Sequence, residues 1–103
     1  MMQHIFISMP MNGLSDTEIN NKFEEITNLV KGKYFVIPSK QIIFKNISPV
    51  YYLGHSLILL SRADAVLFCD GWEKARGCKI EHQVATEYDI PILYEKDLYE
   101  KDL

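Results

Sequence analysis

The sequence predicts one α/β domain, a three-layer α/β/α arrangement around a four-stranded parallel sheet. Three observations carry that expectation. Short apolar runs alternate along the chain with stretches of helical periodicity, as successive β-α-β units do. A length of 103 residues suits a single domain, and 48% hydrophobic content is enough for a core. Right-handed crossovers then convert the alternation into a small parallel sheet covered on both faces.

The first strand is read at residues 4–8, His4-Ile-Phe-Ile-Ser8. The following Met9-Pro-Met-Asn-Gly13 is a loop because of its Pro and Gly. Ser15-Asp-Thr-Glu18 has capping-box spacing, and Ile19, Phe23, Ile26 and Val30 recur at helical intervals until Gly32. Tyr34-Phe-Val-Ile37 is the second strand, stopped by Pro38. Residues 39–47 have mixed polarity and no period, which reads as a loop over the sheet edge.

Ser48-Pro49 opens the second helix with a hydroxyl cap and Pro at the first helical position. Leu53, Leu57 and Leu60 continue it, while Tyr51, Tyr52, Ile58 and Leu59 make it apolar on more than one face. That excess predicts a homodimer or larger homo-oligomer, with Tyr51, Tyr52 and Leu59 crossing the contact. The third strand is expected at 63–69, the third helix at 77–88 and the fourth strand at 91–94. The strand order 2-1-3-4 is flavodoxin-like, more broadly Rossmann-like, with its ligand crevice between strands 1 and 3. The domain is read as 1–94 and a charged extension as 95–103. In the tail, Tyr94-Glu-Lys-Asp-Leu98 is repeated as Tyr99-Glu-Lys-Asp-Leu103, and a solvated extension is expected, with a short helix packing on a neighbour as the alternative.

Bulk charge narrows the partners. A net charge of −3 argues against nucleic-acid polymers or an anionic membrane. No apolar run approaches the ~18 residues that span a bilayer, and no basic-plus-apolar leader opens the chain. Cys69 and Cys78 read as free thiols of a reducing compartment, so the expected location is the cytoplasm. Neither a metal nor a cofactor is expected.

The segment with most chemistry is Asp70-Gly-Trp-Glu-Lys-Ala-Arg-Gly-Cys-Lys-Ile-Glu81. It runs from a buried strand through a Gly-rich turn into a helix N-terminus, where α/β sheets hold small anionic ligands. The crevice should gather Ser8, Met9, Pro10, Asn12 and Gly13 after strand 1, Pro38 and Ser39 after strand 2, and Asp70, Trp72, Arg76 and Gly77 after strand 3. Ser8 and Asn12 offer hydrogen bonds, Gly13 allows close backbone approach, and Arg76 with the helix N–H groups suits an anion. Trp72 would stack on a base or sugar, or else close the sheet end as a lid. Asp70 would contact the ligand or only cap its turn. Glu81 is expected half-buried and facing the cleft, or alternatively a surface carboxylate paired with Lys74 or Arg76. His4, His55 and His82 form no triad, and no P-loop, dinucleotide fingerprint or nucleophile elbow is present.

These residues resemble the nucleoside 2-deoxyribosyltransferase-like superfamily, including the 2′-deoxynucleoside 5′-phosphate N-hydrolases and a small phage and bacterial branch. The branch opens on a pattern like Ile-Tyr-Ile-Ser-Gly-Pro-Met-x-Gly, similar to Ile5-Phe-Ile-Ser-Met-Pro-Met-Asn-Gly13 here. Its Gly-Trp-Glu-x-Ser-x-Gly-Ala-x-x-Glu resembles residues 71–81. The resemblance implies that Glu81 attacks the anomeric carbon of a nucleoside or nucleotide, displaces the base and holds a covalent sugar, as in a retaining glycosidase. It also exposes four departures. The acid that assists the leaving base falls at Ser56, the tyrosine that orients the nucleophile at Phe6, a substrate-binding Ser or Asp at Ala75, and a loop glycine at Met9. Three expectations follow: an enzyme cleaving or transferring an N-glycosidic bond through Glu81, a catalytically degenerate nucleotide-binding protein with the same cleft, or an oligomeric interaction module without ligand.

Overall fold

The computed structural model describes residues 2–39 and 46–100, the side chain of residue 100 excepted. Four strands, β1 (Gln3–Ser8), β2 (Tyr34–Val36), β3 (Ala65–Phe68) and β4 (Ile92–Tyr94), form one parallel sheet in the order β2-β1-β3-β4. Four helices accompany them: α1 (Asp16–Val30), α2 (Pro49–Leu60), α3 (Arg76–Glu87) and α4 (Glu95–Glu100). A 3₁₀ turn, Trp72–Lys74, precedes α3. The expected three-layer fold and strand order are therefore present. No helix among the described residues is long and apolar enough to cross a membrane.

Local signals place the helix starts. Ser15 accepts from the Glu18 N–H while the Glu18 carboxylate accepts from the Ser15 N–H, closing a capping box. Ser48 accepts from the Val50 N–H, and Pro49 occupies the first helical position. The strands divide their side chains by simple alternation. Ile5, Ile7, Met9, Ala65, Leu67 and Cys69 face α1, packing on Ile26 and Val30. Phe6, Val66 and Phe68 point the other way, against Leu60 of α2 and Ala85 of α3.

Several boundaries differ from expectation. β3 begins at Ala65 rather than 63, because the Asp64 carboxylate accepts the His4 N–H at 2.7 Å and turns the chain into the sheet. α3 begins at Arg76 and ends at Glu87, so Tyr88 leaves the helix and is exposed instead of joining the buried stripe. The loop expected over 39–47 lies mostly outside the described residues, at 40–45.

The tail is the larger correction. Instead of a solvated extension, residues 95–100 form α4, a short helix that packs on the chain's own core rather than on a neighbour. Leu98 packs on the α1-side core, and the Glu95 side chain is buried. The reason lies in the alternation of β4: Tyr94 points to the α3 face, so Glu95 points to the α1 face. There its Oε2 meets Lys22 Nζ at 2.7 Å.

Candidate functional site

The sheet alternation that aims Phe6 at α3 also aims Ser8, one pleat further on. Ser8 closes β1 and is fully buried, and its hydroxyl donates to Glu81 Oε1 at 2.6 Å. Glu81 sits in the second turn of α3 and is 7% exposed, more deeply enclosed than the half-buried carboxylate expected. It makes no ion pair with Lys74 or Arg76 within the described contacts. Burial pushes its carboxyl up to about 7, against the opposing effect of the Ser8 hydrogen bond. A carboxyl poised near neutrality can change charge during a reaction.

Cys78 lies one turn earlier on the same face of α3 and is buried beside this pair. Burial raises its thiol to about 11, with a Ser8 hydrogen bond pulling the other way and the Glu81 charge adding to the rise. It is a protonated, inert thiol. Cys69 is also free and buried, its thiol held up at about 12 chiefly by desolvation.

The start of α3 is open. Ala75 occupies the cap position and offers no side-chain hydrogen bond, so the first-turn N–H groups of the helix receive no side-chain cap. Arg76, the first helical residue, is exposed, and Gly77 is half-buried behind it. Positive N–H groups and a guanidinium therefore share one edge, as an anion requires.

The loop after β1 is divided. Met9 is buried in the α1-side core and Pro10 is half-buried, whereas Asn12 and Gly13 are exposed. Gly71 stands opposite Pro10 with a left-handed φ of 89°, a conformation that favours glycine. A Cβ at Gly71 would come within 3.7 Å of Pro10 Cγ, so the loops after β1 and β3 touch here. Phe6 is buried in the α3-side core and carries no hydroxyl. Ser8, not residue 6, is the group that orients the Glu81 carboxyl.

Trp72 is engaged within the protein. Its ring stacks on His82 with centroids 4.0 Å apart and an interplanar angle of 14°, and it also contacts Phe68 and Tyr94. His82 Nε2 and Tyr94 Oη share a 2.8 Å hydrogen bond. The lid reading of Trp72 describes one of its faces. A recess of about 310 Å³ opens beside it, lined by Phe68, Asp70, Gly71, Trp72, Glu73, Tyr94 and Lys96. A second recess, of about 550 Å³, runs along the edge strand β2, lined by His4, Phe35, Val36, Ile37, Pro38 and Arg62. Glu81 lines neither. The residues expected in one crevice are thus dispersed, with Ser8 and Glu81 within the fold, Asp70 and Trp72 on the neighbouring recess and Pro38 on the second.

Asp70 is exposed, but its backbone N–H donates to Glu95 Oε1 at 2.9 Å. Glu95 is 3% exposed and joins this turn to Lys22 of α1. Desolvation works to lower the Lys22 ammonium, yet hydrogen bonds to Glu95 and Glu25 prevail and hold it above the usual lysine value. Sequence reasoning missed Glu95, Lys22, His82 and Tyr94. The signal for the first and last was the alternation Ile92-Leu-Tyr-Glu95, which places Tyr94 and Glu95 on opposite faces. Among the described residues, no cluster of three or more His, Cys, Asp or Glu side chains could hold a metal ion.

Against models of known families, residues 3–94 match one described as a domain of unknown function, DUF4406. No curated protein and no solved structure matches the chain.

Proposed function

The chain belongs to the DUF4406 family, and from that premise and the site geometry we propose that it cleaves or transfers the N-glycosidic bond of a deoxynucleoside or nucleotide. The observation that carries this reading is the buried Glu81 carboxyl, held by Ser8 at the C-terminal end of the sheet. The similarity of residues 5–13 and 71–81 to the nucleoside 2-deoxyribosyltransferase-like pattern supports the same reading.

In this mechanism Glu81, ionised, attacks the anomeric carbon. A carboxylate oxygen–carbon bond forms as the carbon–nitrogen bond to the base breaks, and the electron pair leaves with the base, which takes a proton from solvent water. The proton is returned to solvent when water attacks in the second step. Water, or a second base, then attacks the same carbon and returns the carboxylate. Ser8 orients the nucleophile throughout. The planar base would lie on the Trp72 side, with the sugar toward Glu81. The carboxyl is enclosed, so a sugar reaches it only when the residues over it move aside. Two free, buried thiols fit a cytoplasmic setting.

A phosphate on the ligand would sit at the open start of α3, against Arg76. Arg76→Ala should weaken a phosphorylated ligand by about 1–3 kcal/mol, the worth of a charge-assisted hydrogen bond. It should leave an unphosphorylated nucleoside nearly unchanged. Calorimetric titration of both checks this, and equal losses would remove Arg76 from the phosphate site.

The enclosure of Glu81 and the hydrocarbon at Phe6 favour a second reading, a nucleotide-binding protein that has lost the chemistry. One experiment separates the two. Thermal-shift screening against nucleosides, mononucleotides and nucleotide sugars finds ligands under either reading, and chromatography of free base then tests for turnover. Base release supports the enzyme. Binding with no base released across the panel leaves the binder, and no binding at all ends both readings.

A further inference from the structure

The recess beside Trp72 carries a set of charged groups that the proposed mechanism leaves without a role. Phe68, Trp72 and Tyr94 give it aromatic surface, and the charged part of its lining is two carboxylates, Asp70 and Glu73, and one ammonium, Lys96. Among the described residues none of these three side chains enters an ion pair. The volume of about 310 Å³ lies at the small end of the range for ligand pockets, which suits one planar ring system.

Much of this lining is fixed in advance. His82, which does not line the recess, stacks on Trp72 and is itself held by Tyr94 Oη at 2.8 Å. Asp70 is placed through its backbone, because its N–H donates to Glu95 Oε1 and Glu95 is anchored in turn by Lys22. Gly71 follows it in a left-handed turn against Pro10. A short side chain on a fixed backbone loses little freedom when it binds.

Counting donors and acceptors then selects the ring. The reading of the protein as one that takes nucleosides or nucleotides puts a base in this recess, and the inference rests on that reading. A base outside a duplex is read along its Watson–Crick edge and by stacking. A carboxylate only accepts, through two oxygens, and an ammonium only donates. Guanine alone among the common bases has two adjacent N–H donors, at N1 and the 2-amino group, followed by an acceptor, O6. In adenine and cytosine the amino group is next to an unprotonated ring nitrogen, whose lone pair would face the carboxylate. In thymine and uracil the single N–H lies between two carbonyl oxygens, which meet the same repulsion. A lining of two acceptor groups and one donor group therefore complements the guanine edge and opposes the others.

We propose that this recess is a guanine site, in which Asp70 accepts from N1–H and the 2-amino group, Lys96 donates to O6, and the ring lies on Trp72. Glu73 adds negative potential that favours a donor-rich edge.

The test is calorimetric titration of the full chain carrying Glu81→Gln, which removes turnover. The probes are the 2′-deoxynucleoside 5′-monophosphates of guanine, hypoxanthine, adenine, cytosine and thymine. Guanine should bind about tenfold or more tightly than hypoxanthine, which lacks only the 2-amino group, the loss expected for one hydrogen bond to a charged acceptor. The other three should bind more weakly still. Asp70→Asn keeps the size of the side chain and the backbone N–H bonded to Glu95. It should cost guanine about tenfold or more. Because an amide can donate to a carbonyl at ring position 2, the variant should also gain affinity for the xanthine nucleotide, which a structural lesion cannot produce. Lys96→Met should weaken guanine and hypoxanthine by a similar factor and leave adenine unchanged. Should Asp70→Asn fail to fold, the guanine-to-hypoxanthine ratio and Lys96→Met decide. Equal affinity for the five bases, preference for a base other than guanine, or a folded Asp70→Asn that still prefers guanine overturns the guanine site and leaves the nucleotide reading standing. Binding of none of the five, by this protein or by the parent, overturns both. A guanine preference that Asp70→Asn turns toward xanthine, with no base released by the parent, supports the guanine site and selects the binder over the enzyme.

Discussion

Replacing Glu81 by Gln should make the protein more stable above neutral pH and abolish base release. Both effects come from one buried carboxyl. In the folded chain it titrates near 7, against 4.5 for the model carboxyl. The folded state therefore holds the proton more tightly than the unfolded state. The stability this contributes is fully present below about 4.5 and is lost as the pH rises through about 7. A separation of that size is worth about 3 kcal/mol, since each unit corresponds to roughly 1.4 kcal/mol. Gln keeps the shape, can still accept from Ser8 and carries no charge to desolvate. Denaturant melts at pH 5 and pH 8 should show the parent losing stability across the interval and Glu81→Gln holding level.

If Glu81 is the nucleophile, base release by the parent should climb with pH over the same range, as the reactive carboxylate forms. The Gln variant should bind ligand and release no base. A stabilised yet inactive variant is the signature of a residue kept for chemistry at the expense of the fold. Activity that survives the substitution would place the reaction on another group.

Lys22→Met should be strongly destabilising. It removes the ammonium that neutralises Glu95, whose side chain is only 4% exposed, and among the described contacts leaves that carboxylate with the Asp70 N–H alone. Breaking a buried pair from one side costs about 3–5 kcal/mol, and the partial exposure of Lys22 reduces this to about 2–4 kcal/mol. Thermal unfolding should fall by about 10 °C or more in a domain of this size. The Asp70 amide should also exchange faster with solvent, since the carboxylate that holds it is freed to turn toward water. Adding Glu95→Leu to Lys22→Met should recover much of the loss, because an apolar pair leaves no stranded charge. A loss of only a degree or two in Lys22→Met would show that the pair contributes little.

Local signals made most of the fold legible. The capping box at Ser15 and Glu18 and the Ser48-Pro49 start each act through backbone groups a few residues away, so spacing alone reveals them. The parallel sheet covered on both faces followed from crossover handedness, and its order from the flavodoxin-like pattern of such β-α-β chains, neither of which depends on side-chain detail. Glu81 was legible as a residue worth attention, but its depth was not. That depth depends on Ser8, 73 residues distant, and on how closely α3 lies against β1. The ion pair between Lys22 and Glu95 was hidden for the same reason, since the two are also 73 residues apart. A charged pentapeptide in duplicate reads as solvent-facing until the strand before it fixes which side chain points inward. Trp72 was ambiguous between ligand platform and lid because both need a flat apolar ring at a sheet end. The stack on His82 occupies one of its faces, and the ring also lines the recess beside it, which residue type alone could not foretell.

The duplicated pentapeptide has a consequence for how this chain tolerates change. Its two copies, Tyr94-Glu-Lys-Asp-Leu98 and Tyr99-Glu-Lys-Asp-Leu103, are identical, so loss of either leaves the same shorter chain. The remaining copy would still supply the tyrosine facing His82, the carboxylate facing Lys22 and the leucine packed on the α1 side. Among the described contacts, what disappears is the exposed bond from Tyr99 to Glu25, worth about 1 kcal/mol or less. Loss of one copy is therefore a change that the described contacts around β4 and α4 can absorb.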